Sequence, residues 1–242
     1  MIVSKYREFI LENKSIVFPT PSEACEWRVR TLLTKEPLTI RWLNSFDSNE
    51  VVWDIGANIG IYTLYAAIIR KCNVFAFEPQ HTNFYLLNDA ILKNKVDHMV
   101  KAYCIALGNE TKATKLNQGN QEPGSSAHII TRRHKTTFMQ GCVEFTIDKL
   151  IEMGVPQPSR VKLDVDGIEL QIIQGGSNTL PKVHSILTEI DRREDRHLPL
   201  IEAIESLGFF YNPQDVRLQE TGIHAGFGEI LFYNKRFVQP LT

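Results

Sequence analysis

Asp54, Gly56, Ala57, Asn58 and Gly60 stand in the run D-I-G-A-N-I-G, between the apolar stretch VVWDI (51–55) and a second apolar stretch that starts at Ile61. Glycines placed this way between a strand and a helix let a ligand approach backbone N–H groups at a helix start. A dinucleotide site would ask for G-x-G-x-x-G, and its second glycine, the one that admits the pyrophosphate, falls on Asn58. Asp54 argues the same way, because a carboxylate in that crevice repels a diphosphate and attracts an ammonium or sulfonium group. Twenty-two positions beyond Gly56, Glu78 ends the run NVFAFE (73–78), where an acid can accept hydrogen bonds from both hydroxyls of a ribose. Read singly, the two glycines are turn residues and Glu78 is a charge before Pro79. Read together, they describe a site for a cationic nucleoside such as S-adenosylmethionine (SAM).

A second group of chemistry-bearing residues follows the run RVKLDV (160–165): Asp164, Asp166 and Glu169, with Glu189 closing VHSILTEI (183–190). The carboxyl edge of an open α/β sheet is where such folds bind ligands. Asp164 and Glu189 are the catalytic candidates there. A hydroxyl that attacks a methyl must lose a proton, a task suited to a carboxylate, and Asp164 is expected to serve as that base or to orient the acceptor. Asp164 could equally cap a helix, and Glu169 could serve as a charge in its first turn. A Mg²⁺ or Ca²⁺ site built on Asp164, Asp166 and Glu189 is the less favoured alternative. The D-x-D-G run does not make an EF-hand, since its twelfth loop position is Gly175. No metal is expected.

These residues need elements to hold them. From Val51 onward, β-branched and aromatic runs at 51–55, 73–78, 100–107, 160–165, 183–190, 208–211 and 228–234 alternate with helical stretches at about 60–70, 81–94, 168–175 and 198–207. That rhythm is the mark of an α/β fold with a mostly parallel sheet. Residues 1–50 carry two stretches with helical spacing, 6–13 and 22–34, separated by F-P-T-P, and read as a helical extension ahead of a domain spanning 51–242. Residues 108–141, rich in Asn, Gln, Gly, Thr and basic side chains, read as an irregular insertion or flap.

Composition narrows the partners. With 27 basic and 28 acidic residues the net charge is -1, so no overall field draws the chain to nucleic acid. No apolar run approaches the ~20 residues that span a bilayer, and no secretory leader is evident. The four cysteines, Cys25, Cys72, Cys104 and Cys142, form no C-x-x-C pair and read as free thiols of a soluble cytoplasmic protein. Nothing in the sequence sets the oligomeric state.

The segments VVWDIGANIGIYTLYAA, VFAFEPQHTNFYLLNDAI, AYCIALGNE, GSSAH, FTIDKLI, VKLDVDGIELQIIQGGSNTL and ILTEID, taken in order, resemble the FkbM-type SAM-dependent methyltransferases from about Glu36 to Tyr233. The resemblance implies a Rossmann-like class I methyltransferase: a seven-stranded sheet with the last strand antiparallel, helices on both faces, and transfer of a methyl to hydroxyl oxygens of sugars or other polyhydroxylated metabolites. It implies that the 54–60 turn holds the methionine part of SAM, Glu78 the ribose, and Ile105, Ala106 and Leu107 the adenine. The family usually has Glu where Asp166 stands, so a shorter carboxylate reaches whatever that position contacts. Ser125, Ser126 and His128 match a G-S-S stretch and are candidates for the acceptor pocket, with Asp166 and Glu169, while a polar surface turn is the plain alternative. The basic run Arg132, Arg133, His134, Lys135 would suit an anionic acceptor but reads first as a solvated loop, as do 191–197 and His224. A small-molecule or glycan acceptor is expected. The competing functions are a nicotinamide-dependent oxidoreductase on the same sheet and a SAM-binding module without catalysis.

Overall fold

A computed structural model describes residues 5–126, 128–129, 138–191, 197–218 and 226–238. The chain opens with a hairpin, β1 (Tyr6–Leu11) and β2 (Lys14–Pro19), whose two-residue turn places Glu12 and Asn13 both at positive φ. This corrects the expected helix over 6–13. Tyr6, Phe9 and Ile10 fit a helical face as readily as a strand, and the decision comes from outside the segment: Ile16 and Phe18 of β2 are fully buried, so β1 must follow as their pairing partner. The second expected helix is present as α1 (Glu23–Arg30), with Ser22 accepting the Cys25 N–H as its cap, and α2 (Pro37–Asn44) starts on a proline.

The remaining elements follow as β3 (Val51–Ile55), α3 (Ile61–Leu64) running on into a π-helical turn at Tyr65–Ile69, β4 (Asn73–Phe77), α4 (His81–Asn94), β5 (Val100–Tyr103), β6 (Ala106–Leu107), β7 (Lys112–Gln118), β8 (His128–Ile129) and β9 (Phe138–Phe145). Then come α5 (Ile147–Glu152), β10 (Arg160–Leu163), α6 (Glu169–Gln174), β11 (Ser185–Asp191), α7 (His197–Ser206), β12 (Phe209–Phe210), β13 (Val216–Leu218) and β14 (Phe227–Asn234). The main sheet has the order β12-β14-β11-β10-β3-β4-β5, parallel from β5 to β11 and antiparallel at β14, as expected for the class I arrangement. It has eight strands rather than seven, because β13 also pairs with β14.

Two apolar layers sandwich this sheet. On one face Ile16, Phe18, Trp42, Phe46, Leu64 and Leu86 join the N-terminal segment to α3 and α4. On the other, Trp53, Leu163, Ile172, Ile204 and Phe232 pack under α5, α6 and α7. Among its described residues, the stretch expected to be an irregular insertion holds β7, β8 and the start of β9. The expected strand 100–107 breaks after Tyr103, and β6 leaves to join β9, β7 and β8 in a separate four-stranded sheet. Its polar sequence hid it, because β7 buries little beyond Leu116 and Gln118 and so lacks a strand's usual apolar alternation.

Candidate active site

The turn after β3 is built by close approach. Gly56 has φ +85°, and a Cβ there would lie 1.9 Å from the carbonyl oxygen of Asp164, so only glycine lets β3 and β10 end side by side. The Gly56 and Ala57 N–H groups both donate to the Phe77 carbonyl, at 2.9 and 3.1 Å, tying the turn to β4. Asn58 takes a left-handed conformation, φ 51°, which its own side chain supports by accepting the Ile59 N–H at 2.9 Å. Its N–H donates to Glu78 Oε2 at 2.8 Å, while Gln80 N–H donates to Glu78 Oε1 at 2.8 Å. An amide that would cradle a pyrophosphate is therefore committed to a carboxylate. Glu78 is 5% exposed, and burial pushes its carboxyl up to about 7 despite those two amides. Asp54, 3% exposed, accepts from Thr63 Oγ1 at 2.5 Å through Oδ2, while its Oδ1 has no hydrogen-bond partner. Burial raises the Asp54 carboxyl, and Lys162 works against that rise.

A strap crosses over this turn. The Ser125 carbonyl accepts from Asn58 Nδ2 at 2.9 Å and Asn83 Nδ2 at 3.3 Å, and the Gly124 N–H donates to Asn83 Oδ1 at 2.8 Å. From the other side, Ser22 Oγ donates to the Pro123 carbonyl at 2.6 Å and Arg28 Nε to the Gly124 carbonyl at 2.6 Å. The N-terminal segment thus lies over the glycine turn.

Beyond the turn, Glu36, Lys162, Asp164, Leu187, Glu189 and Glu229 line a narrow cleft at the carboxyl edge of the sheet. Asp164, the first residue after β10, keeps to the side of Lys162 by the two-residue period of extended chain, and Lys162 Nζ donates to Asp164 Oδ2 at 2.5 Å. Burial opposes the Lys162 charge, yet Asp164, Glu36 and Asp54 around it hold it protonated above the ordinary lysine range. Burial likewise opposes the Asp164 charge, and Lys162 and Lys35 override it, holding that carboxyl at about 2. Glu189 is in the reverse position: burial, then the neighbouring Asp164 and Glu36, raise it to about 9. Glu229, opposite Glu189 in the β11–β14 register and accepting from Thr39 Oγ1, is pushed by burial and Glu36 up to about 7.

The structure brings Asp54, Gly56, Ala57, Asn58, Gly60 and Glu78 together, and sets Asp164 and Glu189 in the adjoining cleft. Ser125 enters through its backbone carbonyl; Ser126 is exposed; His128 is described only as a backbone partner of Gln118. Ile105 is half-buried against the second core, while Ala106 and Leu107 are buried in β6. Glu169 accepts the Gly167 N–H at 3.0 Å at the start of α6, the helix-start arrangement, and Asp166 bears on Glu78 and Glu189 through its charge. Asp164, Asp166 and Glu189 do not form a cation site: Asp164 is engaged by Lys162, and among the described residues no three His, Cys, Asp or Glu are grouped to hold a metal. Residues 132–135, 192–196 and His224 lie outside the described residues. Sequence reasoning missed Lys162, Glu36, Glu229 and Tyr62, whose ring lies 5.2 Å from Lys162 Nζ. A lysine inside a strand buried on both faces was a readable signal; Glu36, in a segment without a motif, gave none.

Among the described residues, no helix is long and apolar enough to cross a membrane. The methyltransferase FkbM domain matches residues 54–211. Over 165 residues the chain is 30% identical to the hexuronic acid methyltransferase AglP of Haloferax volcanii, a match that covers 68% of this chain and 65% of that protein, just under two thirds of its length. In fold it is similar to a precorrin-6y C5,15-methyltransferase from Geobacter metallireducens (TM-score 0.51, 16% identity, covering 84% of this chain and 90% of that one). It is also similar to TrmK of M. capricolum in complex with S-adenosylhomocysteine (TM-score 0.51, 9% identity, covering 84% and 70%). The glycine turn, the acid ending β4, the strand order and the domain match together show that this chain belongs to the FkbM methyltransferase family.

Proposed function

We propose that the protein transfers a methyl group from SAM to a hydroxyl oxygen of a sugar or another polyhydroxylated metabolite. The observation that carries this reading is the adjacency, on one sheet edge, of the Gly56–Gly60 turn with Glu78 and the cleft of Asp164 and Glu189. The residues fit the cofactor. Asp54 Oδ1 is buried and unpartnered, the net charge of the lining is negative, and each Glu78 oxygen keeps a lone pair for a ribose hydroxyl after accepting one amide. Bound SAM supplies an electrophilic methyl on a cationic sulfur.

The chain's own contribution is to place a hydroxyl in line and take its proton, and positioning alone can be worth roughly 7–11 kcal/mol. Asp164, kept ionised by Lys162, accepts a hydrogen bond from the acceptor and orients it, but a carboxylate held near 2 is a weak base. Glu189, raised to about 9, is the stronger proton acceptor once ionised, and a cationic ligand nearby favours that ionised form. Glu36 and Glu229 offer further oxygens to sugar hydroxyls. The relative's name joins methyl transfer to a hexuronic acid, which supports a sugar acceptor here. We place the enzyme in the cytoplasm, with its cysteines as free thiols.

Thermal shift with S-adenosylhomocysteine and with NAD, followed by incubation with SAM and a panel of hexuronic acid and neutral glycosides, tests the reading. Stabilisation by S-adenosylhomocysteine alone and a one-methyl mass gain on a glycoside support it. Stabilisation by NAD alone would return the nicotinamide alternative. Binding without transfer to any acceptor would favour a module that only holds the cofactor.

A further inference from the structure

Arg28 belongs to α1, outside the matched 54–211 domain, and its side chain is half-buried over the site. Its Nε is fixed on the Gly124 carbonyl at 2.6 Å, and α1 touches the same strap through Ser22, through Cys25 Sγ at 3.3 Å from the Pro123 carbonyl, and through the absence of a side chain at Gly124, where a Cβ would lie 2.7 Å from Cys25 Sγ. The strap continues to Ser125, whose carbonyl is held by Asn58 of the glycine turn. The guanidinium is thus pinned by one nitrogen to the strap, one residue from the carbonyl that Asn58 of the turn holds. Its two terminal nitrogens have no hydrogen-bond or ion-pair partner among the described residues. Its charge reaches both Glu78 and Asp164, the acids at the two sides of the turn, which puts it over the crevice rather than out in solvent. A guanidinium fork held in this way is shaped for a carboxylate.

We propose that Arg28 binds the α-carboxylate at the amino-acid end of the cofactor, so that the N-terminal segment completes the SAM site that the matched domain begins. Asp54, with its unpartnered Oδ1, presents the opposite charge from within the turn, and the pair suits the zwitterionic head of an amino acid. The inference rests on reading the 54–60 turn as the SAM site.

Calorimetry with two ligands separates the two. S-adenosylhomocysteine carries the amino-acid end, and 5′-methylthioadenosine lacks it while keeping adenosine and sulfur. The unmodified protein is expected to prefer S-adenosylhomocysteine, and Arg28→Gln to weaken that ligand by about 10–100-fold, the worth of hydrogen bonds to a charged group. Binding of 5′-methylthioadenosine should stay within about 3-fold, which also reports an intact strap, and Arg28→Lys should recover part of the loss. Equal affinity of the unmodified protein for the two ligands would overturn the proposal. So would an Arg28→Gln variant that leaves S-adenosylhomocysteine unchanged, or one that weakens both ligands alike, since Arg28 would then only hold the strap. If neither ligand binds the unmodified protein, the reading of the turn fails first and this inference falls with it.

Discussion

Replacing Lys162 with Met should remove the cation that offsets the mutual repulsion of the cleft's acids. Lys162 is 4% exposed, its Nζ lies 2.5 Å from Asp164 Oδ2, and Glu36 and Asp54 also bear on it. At an effective dielectric near 20 the gross attraction at this range is about 7 kcal/mol, most of it offsetting the desolvation of the two charges. Breaking a buried pair by deleting one partner usually costs about 3–5 kcal/mol. The Asp164 side chain is 31% exposed, so water can take up part of its charge, and a loss of about 2–3 kcal/mol is expected at pH 7. Urea unfolding of the unmodified protein, Lys162→Met, Asp164→Asn and the double variant closes the cycle. The double variant should be more stable than Lys162→Met alone, because no orphaned carboxylate remains. Lys162→Met should also regain stability at pH 5, where Asp164, no longer held at about 2, begins to take a proton. A Lys162→Met loss below about 0.5 kcal/mol, or a double variant that sums the two single losses, would refute the view of Lys162 as the organising charge.

Three further outcomes follow from the same geometry. Glu78→Ala should weaken S-adenosylhomocysteine by about 1–3 kcal/mol in calorimetry, through the lost ribose hydrogen bonds and the two backbone amides left without their acceptor. Gly56→Ala, at φ +85° with its Cβ 1.9 Å from the Asp164 carbonyl, should cost more than about 2 kcal/mol in denaturant unfolding, with loss of ligand binding, since neither backbone can yield without parting β3 from β10. Glu78, Glu189 and Glu229 stay protonated in the fold up to about 7, 9 and 7, whereas the unfolded chain releases these protons near 4.5. The native state therefore binds more protons between those values, and stability should fall as pH rises from about 5 to 8, by up to about 1.4 kcal/mol per pH unit for each carboxyl. Asp164 acts with the opposite sign: it stabilises above about 4, and that support is lost as pH falls toward 2. Melts across pH 3–9 should peak near pH 5, and Glu189→Gln should flatten the alkaline slope.

The glycine turn and Glu78, read as the cofactor half of the site, were legible because they are local in sequence. The turn at 54–60 and Glu78 are short, each sits at the end of a recognisable strand, and backbone geometry leaves few residue types able to replace Gly56 or Asn58. The position of Asp164 at the sheet edge was legible, but its partner was not foreseen, and the partner sets its electrostatics: Lys162 holds it ionised, and Glu189 is left as the more basic carboxyl. Glu36 and Glu229 were invisible because their roles arise from long-range closure, α2 folding over the sheet and β14 returning beside β11. The same holds for the first hairpin, where Ile16 and Phe18 decide the structure of residues that a helical period fits equally well. The sheet at β7 and β9 escaped notice because β7 is mostly polar, and the apolar Phe138, Met139 and Val143 of β9 are exposed rather than alternating into a core.

The proposed function rests on methyl transfer to a sugar oxygen at the Asp164 and Glu189 cleft. Incubation with SAM carrying a deuterated methyl group and the glycoside panel, with the product analysed by mass spectrometry and NMR, tests it directly. One labelled methyl on a sugar oxygen is expected, with transfer sharply reduced in Glu189→Gln while S-adenosylhomocysteine still binds. A label found on nitrogen or carbon, or full transfer by Glu189→Gln, would contradict it.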